Sequence, residues 1–313
     1  MGATIQDIFG QADTAEPATP GTYGEAPSGF RLPEQVRLGP VRLQVSDLGR
    51  SLAYYQDVLG LRPLERDTTE ATLAPQESDL MLVHLRARKG ARTIPKRGAL
   101  GLYHFAILLP DRPSLGRFVR HLGEINARAG AGDHLVSESL YLQDPDNLGI
   151  EVYADRPRST WRRIGRELMM ATDPVDFADL IEAGGDERWS GMPAGTTMGH
   201  LHLHVGDLGQ AAAFYSEGLG LDRMVWHYPG ALFLAGGGYH HHLGTNTWAG
   251  AGATPPAPDD AQLLEWTIEL PSSADVSAAA ESLGGAGFAA ERAGKDLVTW
   301  DPWGTGLRLR AKA

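Results

Sequence analysis

Residues 41–61 read VRLQVSDLGRSLAYYQDVLGL, and residues 201–221 read LHLHVGDLGQAAAFYSEGLGL. At this constant offset of 160, ten of the 21 positions are identical. Val41, Leu43 and Val45 alternate with Arg42 and Gln44, the period-two pattern of a half-buried strand. Asp47 then supplies an N-cap side chain. Leu48, Leu52, Tyr55 and Leu59 follow at helical spacing, and Gly60 ends the helix. Weaker echoes link YHFAILLP at 103–110 to LEWTIELP at 264–271, and DPDNLGIEVY at 144–153 to DPWGTGLRLR at 301–310. The chain therefore reads as four related units, each a strand, a helix and further strands. Where repeats share a scaffold, positions at which polar residues differ mark where chemistry was placed.

The first unit begins near Leu38 and ends with a strand over 81–87. In the second, Tyr103, Phe105 and Ile107 share one strand face, while His104 and Ala106 share the other. A helix over 113–128 and strands over 138–143 and 149–154 complete it, with DPDNLG as the turn. The third opens at Met198 and sets His200, His202 and His204 opposite Leu201, Leu203 and Val205. The fourth starts near Leu263. This gives an α+β class, with curved mixed sheets covered by helices on one side and concave on the other.

The domain layout expected is a disordered tail over 1–33, a two-unit domain over 34–156, a partly helical connector over 157–196 and a two-unit domain over 197–313. Residues 11–30 are rich in Ala, Pro, Gly and Thr, hence the tail. In the connector, RRIGRELMMA and VDFADLIEAG read as helices packed on the outside of the domains.

The net charge of −11 argues against a general nucleic-acid binder, which needs Lys and Arg to neutralise phosphates. The absence of cysteine excludes disulfides, thiol catalysis and zinc–cysteine sites. No apolar run approaches the roughly 18 residues of a membrane span, and MGATIQDIFG lacks the pattern of a secretion signal. A soluble, cytoplasmic protein is expected.

The segments GPVRLQVSDLGRSLAYYQDVLGL, GLYHFAILLP, LYLQDPDNLGIEVY, GHLHLHVGDLGQAAAFYSEGLGL and GGYHHHLGTNTW together resemble the vicinal oxygen chelate superfamily of glyoxalases, antibiotic-resistance proteins and extradiol dioxygenases. Within it, the combination is most similar to bacterial two-domain catechol 2,3-dioxygenases. The resemblance implies four βαβββ modules, paired into two open barrels, with a divalent metal held by the first strands of two paired modules and the last strand of one.

Those ligand positions fall on Pro40, His104, His200 and Glu265 in the first strands, and on Glu151 and Arg308 in the last strands of the second and fourth modules. Proline has no ligand atom and arginine stays protonated. Pairing in chain order gives two poor sites. Pairing the second module with the third gives His104, His200 and Glu151, a set of two histidines and one carboxylate that suits Fe(II) and leaves positions open. One metal site per chain is expected, with Fe(2+) favoured and Mn(2+) or another divalent ion accepted by similar ligands. The pairing could form within one chain or across a homodimer.

The resemblance also implies a histidine on the last strand of the third module as general base. Period two puts His240 and His242 on one face and His241 on the other, so His242 is placed first and His240 beside it, with the register left open. Tyr141 falls where the family hydrogen-bonds substrate, and His134 in GDH at 132–134 is a further candidate. His202 and His204 read as barrel-lining residues, while His84, His121 and His227 carry no functional argument. The expected activity is extradiol cleavage of a catechol-type aromatic by O₂. The alternatives are a glyoxalase-like metal-dependent isomerase or lyase, which would want a second carboxylate, and a metal-free small-molecule-binding protein.

Overall fold

Two eight-stranded mixed sheets, one of them curled into a half-barrel, carry most of the chain. The structure, a computed structural model, describes residues 3–9, 14–95 and 97–312. The first module contributes β1 (Arg37–Val45), β2 (Arg62–Arg66), β3 (Glu70–Ala74) and β4 (Val83–Ala87), and the second β5 (Gly101–Leu108), β6 (Gly130–Asp133), β7 (Ser137–Gln143) and β8 (Gly149–Asp155). The third contributes β9 (Thr197–His204), β10 (Asp222–Val225), β11 (Ala231–Ala235) and β12 (Leu243–Asn246). The fourth contributes β13 (Gln262–Leu270), β14 (Ala290–Ala293), β15 (Asp296–Trp300) and β16 (Gly306–Ala311).

Each module carries its helix after the first strand: α1 (Leu48–Asp57), α2 (Arg112–Glu124), α3 (Leu208–Ala211, continuing as a π-helical segment Ala212–Gly218) and α4 (Ser273–Gly285). All four start on a side-chain cap. Asp47 accepts from the Arg50 amide and Asp207 from that of Gln210, the repeat reproduced at offset 160; Asp111 and Ser272 do the same for the other two. Leu43, Val45 and Tyr55 and their repeat mates Leu203, Val205 and Tyr215 are fully or almost fully buried, so the shared positions of the repeat are the shared core.

Strand order in one sheet is β10-β11-β12-β9-β5-β8-β7-β6, and in the other β14-β15-β16-β13-β1-β4-β3-β2. The central antiparallel pairs are β5 with β9 and β1 with β13. One sheet thus joins the second and third modules and the other the first and fourth. The division into 34–156 and 197–313 follows the chain but not the sheets, because each sheet takes one module from each half. Chain-order neighbours are tied by a different contact, across the two sheets. The Tyr55 hydroxyl on α1 donates to Asp144 in the second module, and the Tyr215 hydroxyl donates to Asp301 in the fourth.

Two expectations are overturned. Residues 14–33 are not a loose tail: Glu16–Pro17 pairs with Arg162–Ile164, Ala18 and Tyr23 are buried, and the Tyr23 hydroxyl donates to the Gly238 carbonyl at 2.7 Å. Residues 1, 2 and 10–13 of the proposed tail lie outside the described residues. Nor is RRIGRELMMA a helix. It is a β-hairpin of Arg162–Ile164 and Glu167–Leu168, turned at Gly165 with φ +59°, and its apolar end Leu168–Ala171 is buried. Only Phe177–Ala183 in the connector is α-helical. No helix among the described residues is long and apolar enough to cross a membrane.

Candidate metal centre

The central β5–β9 pair brings together three residues far apart in sequence. His104 lies on β5, His200 on β9, and Glu151 on β8, which runs parallel to β5 with Glu151 in register with Ala106. Their ligand atoms all lie within 4.8 Å of one another. The Glu151 Oε2 atom is 2.9 Å from His104 Nε2 and 3.1 Å from His200 Nε2, and its other oxygen, Oε1, accepts from the Ser139 hydroxyl at 2.6 Å. All three side chains are buried. Both histidines come from one chain, so no subunit exchange is needed to assemble the set.

A buried carboxylate beside two imidazoles needs a reason. Burial alone pushes the Glu151 carboxyl up, but His200 and His104 outweigh it and hold it well below the usual carboxylate range. Burial pulls His200 down to about 4, against the attraction of Glu151. At neutral pH the carboxylate is ionised and His200 is neutral, as metal ligands must be. His104 Nε2 is buried and, despite its approach to Glu151, makes no aligned hydrogen bond. Such an orphaned nitrogen is anomalous in a finished polar network, and a cation bound among the three would satisfy it. The set fits a divalent metal.

The triad opens on a cavity of about 250 Å³. Gly199 makes the packing behind it, since a Cβ there would sit 1.9 Å from the Tyr153 hydroxyl; the Tyr153 ring lies 4.8 Å from that of His200. Tyr141 and His134 line the cavity and share a hydrogen bond. His134 Nδ1 is 2.7 Å from the Ala171 carbonyl, which can only accept. Nδ1 therefore carries the proton, Nε2 accepts from the Tyr141 hydroxyl, and the Tyr141 oxygen keeps its lone pairs for another donor. Burial pushes the Tyr141 hydroxyl well above its usual range, so it stays protonated.

The three consecutive histidines do not sit as expected. They precede β12 in an irregular segment after a turn with positive φ at Gly237 and Gly238, so period two does not apply. His241 faces the cavity, its ring 4.1 Å from that of His200. His240 is buried behind it, bonded through Nδ1 to His241 Nδ1 at 2.7 Å and through Nε2 to Asp155 at 3.0 Å. His242 points into the cleft between the two sheets, where its Nδ1 accepts from the Gly236 amide. The placement of His242 and His240 in the cavity is thus corrected to His241. His202 lines the cavity and is fixed by the Asn246 amide, whose oxygen also holds His204.

The composition of the remaining wall was missed in the sequence. Tyr103 is the extra residue of a bulge, since His202 pairs with His104 but Leu203 pairs with Leu102. The bulge turns its ring to the cavity, out of the face shared by Phe105 and Ile107. Met170, Ala171 and Thr172 also line the cavity, so the connector forms part of the site and is not merely external packing. The broken alternation at Tyr103 carried no sequence signal. The run Gly236–Gly238 did, because it breaks the strand before His240.

In the other sheet, the equivalent positions hold Pro40, Glu265 and Arg308. Arg308 donates to both Glu265 oxygens, at 2.7 and 2.9 Å, and to Asp296 at 3.3 Å. A guanidinium occupies the place of a cation there.

Comparison with known proteins agrees with this geometry. Residues 37–152 match the family model described as the Glyoxalase/Bleomycin resistance protein/Dioxygenase superfamily. The chain is 44% identical over 274 residues, 86% of its length and 95% of the relative's, to a Catechol-2,3-dioxygenase of Bacillus subtilis (strain 168). In fold it is similar to a putative dioxygenase from Bacillus subtilis subsp. subtilis str. 168, with TM-score 0.58, 11% identity and 90% and 86% of the two chains covered. It is also similar to glyoxalase I from Zea mays, with TM-score 0.51, 18% identity and coverage of 88% and 92%.

Proposed function

The chain belongs to the glyoxalase/bleomycin resistance/dioxygenase superfamily, and on that premise we propose that it is a metal-dependent extradiol dioxygenase that opens a catechol-type ring with O₂. The observation that carries the reading is the buried His104–Glu151–His200 set opening on a cavity beside His241 and Tyr141. The activity in the name of the Bacillus subtilis relative points the same way.

His104 Nε2, His200 Nε2 and Glu151 Oε2 would hold the ion. When bound, a divalent metal, Fe(II) by preference, would supply Lewis-acid and redox chemistry. The protein handles protons and geometry. His241 has Nδ1 engaged by His240, and no protein hydrogen bond reaches its Nε2 among the described residues. Burial holds this imidazole well below its usual range, so it is neutral and presents a free Nε2 lone pair to a catechol hydroxyl. Asp155 and His240 behind it fix its ring and tautomer. The Tyr141 oxygen, its proton committed to His134 Nε2, accepts from the second catechol hydroxyl. Both oxygen atoms of O₂ enter the product, so no net proton is consumed.

The glyoxalase-like alternative would want a second carboxylate, and Glu151 is the only acid on the cavity wall among the described residues. The test is anaerobic purification, reconstitution with Fe(II), and assay with catechol and O₂. A yellow semialdehyde product with one metal per chain supports the reading. A metal-loaded protein that opens no catechol refutes it.

A further inference from the structure

The sheet of the first and fourth modules has a concavity of its own, which shares no residue with the metal cavity. A pocket of about 300 Å³ lies there over β1, β4, β13 and β16. Its wall carries three guanidinium groups, Arg42, Arg308 and Arg310, together with His84 and a single carboxylate, Glu265. Pro40 and Met81 give it an apolar edge.

Most of this guanidinium surface is uncommitted. Arg308 spends three of its five N–H groups, two on Glu265 and one on Asp296, which neutralises Glu265. Arg310 spends only Nε, on the same Asp296 oxygen at 3.1 Å. Arg42 reaches Glu70 through Nη2 at 3.4 Å, but Glu70 is already 3.0 Å from His84 Nε2 and 3.5 Å from Arg86 Nε. Neither Glu70 nor Asp296 lines the pocket, and each is shared between cations. Farther along β1 and β13, Arg37 and Glu269 stand opposite each other in register and offset one another. Arg42, Arg86, Arg308 and Arg310 therefore outnumber Glu70, Glu265 and Asp296 on this face. Two polar atoms are also left over. Arg42 Nε is buried and has no hydrogen-bond partner among the described residues. Thr267 lines the pocket at 3% exposure, and its hydroxyl makes no hydrogen bond among the described residues. Buried donors are normally paired, so an orphaned donor and hydroxyl beside unspent guanidinium N–H groups form the donor set of an oxyanion.

We infer that this pocket is a second ligand site, which binds a small organic carboxylate. Arg42 and Arg310 hold the charge, the Thr267 hydroxyl donates to it, and Arg308 stays locked by Glu265. A guanidinium matches a planar carboxylate with paired N–H groups, and the Pro40 and Met81 edge takes an apolar body whose size the pocket keeps small. The site stands apart from the dioxygenase reading, since none of its residues belongs to the metal cavity.

The test titrates the full chain with benzoate by calorimetry, metal-loaded and again as the His200→Ala variant, with uncharged benzamide and inorganic phosphate as comparisons. Benzoate is expected to bind both forms with Kd of about 1 mM or tighter, and benzamide at least about tenfold more weakly. Arg42→Met and Arg310→Met should each weaken benzoate binding by about tenfold or more. Thr267→Val keeps every charge, and should weaken it by about threefold or more even if an arginine variant fails to fold. Benzoate binding that vanishes in His200→Ala places the anion on the metal and overturns the inference. Absence of binding to either form, or affinity unchanged in Arg42→Met, Arg310→Met and Thr267→Val, overturns it as well. Phosphate bound more tightly than benzoate overturns the assignment to an organic carboxylate.

Discussion

Replacing Arg308 by Met should destabilise the protein without touching its metal site. The guanidinium makes two charge-assisted hydrogen bonds to Glu265 and one to Asp296, whose side chains are 17% and 7% exposed; its own is 20% exposed. Breaking a fully buried pair by removing one partner costs about 3–5 kcal/mol, because the remaining charges lose their compensation. The residual exposure of Arg308 and Glu265 lowers that to about 2–3 kcal/mol. Methionine keeps the apolar stem, so the loss reports mainly the charge. For a domain of this size that corresponds to a fall in Tm of about 4–10 °C, read by calorimetry on the metal-free protein. Adding Glu265→Gln should recover part of the loss, since it removes one orphaned charge. Metal content should stay at one per chain. A Tm change below about 1 °C in Arg308→Met, or a double variant no more stable than the single one, would refute the view that an arginine serves here as the structural cation.

The remaining predictions concern the cavity and the tie between sheets. His241→Ala should lower kcat by about 10²–10⁴-fold with metal content retained, whereas His242→Ala, which lies off the cavity, should change kcat by less than about tenfold; steady-state kinetics beside metal analysis checks both. Burial pushes Asp144 up to about 7 from the ordinary 3.8, so the native state holds a proton there that the unfolded chain has lost. Its contribution is therefore fully present below about pH 4 and is lost as pH rises towards 7, an upper bound of about 4 kcal/mol. Asp144→Asn should flatten that slope in denaturant titrations between pH 5 and 8; an unchanged slope would assign it to other groups.

The repeat made the scaffold legible because its conserved positions are the core: strand apolar faces, helix caps and the Tyr55 and Tyr215 anchors all recur at one offset. The candidate metal set was legible for the opposite reason. The family resemblance implies the ligand positions, and among them Pro40 and Arg308 cannot ligate, which leaves a complete set only in the inner modules, and the sheets do pair that way. What failed rested on applying regular periodicity to irregular backbone. His241 takes the front of the site because His240–His242 follows a glycine turn and is not strand, and Tyr103 joins the wall because a bulge breaks alternation in β5. The wall residues Met170–Thr172 come from the connector, whose hairpin depends on one residue, Gly165. Composition misleads over residues 14–33 because a few anchors, Ala18, Tyr23 and Leu32, pin a segment otherwise poor in apolar side chains.

Metal stoichiometry across four proteins tests the central claim, one metal site built from both halves of a single chain. Each is reconstituted with Fe(II) anaerobically, desalted and analysed for iron. Wild type and Glu265→Ala should hold one ion per chain, while His104→Ala and His200→Ala should each hold almost none. If His104→Ala keeps its iron while His200→Ala loses it, or if Glu265→Ala loses it, the site does not join the second and third modules.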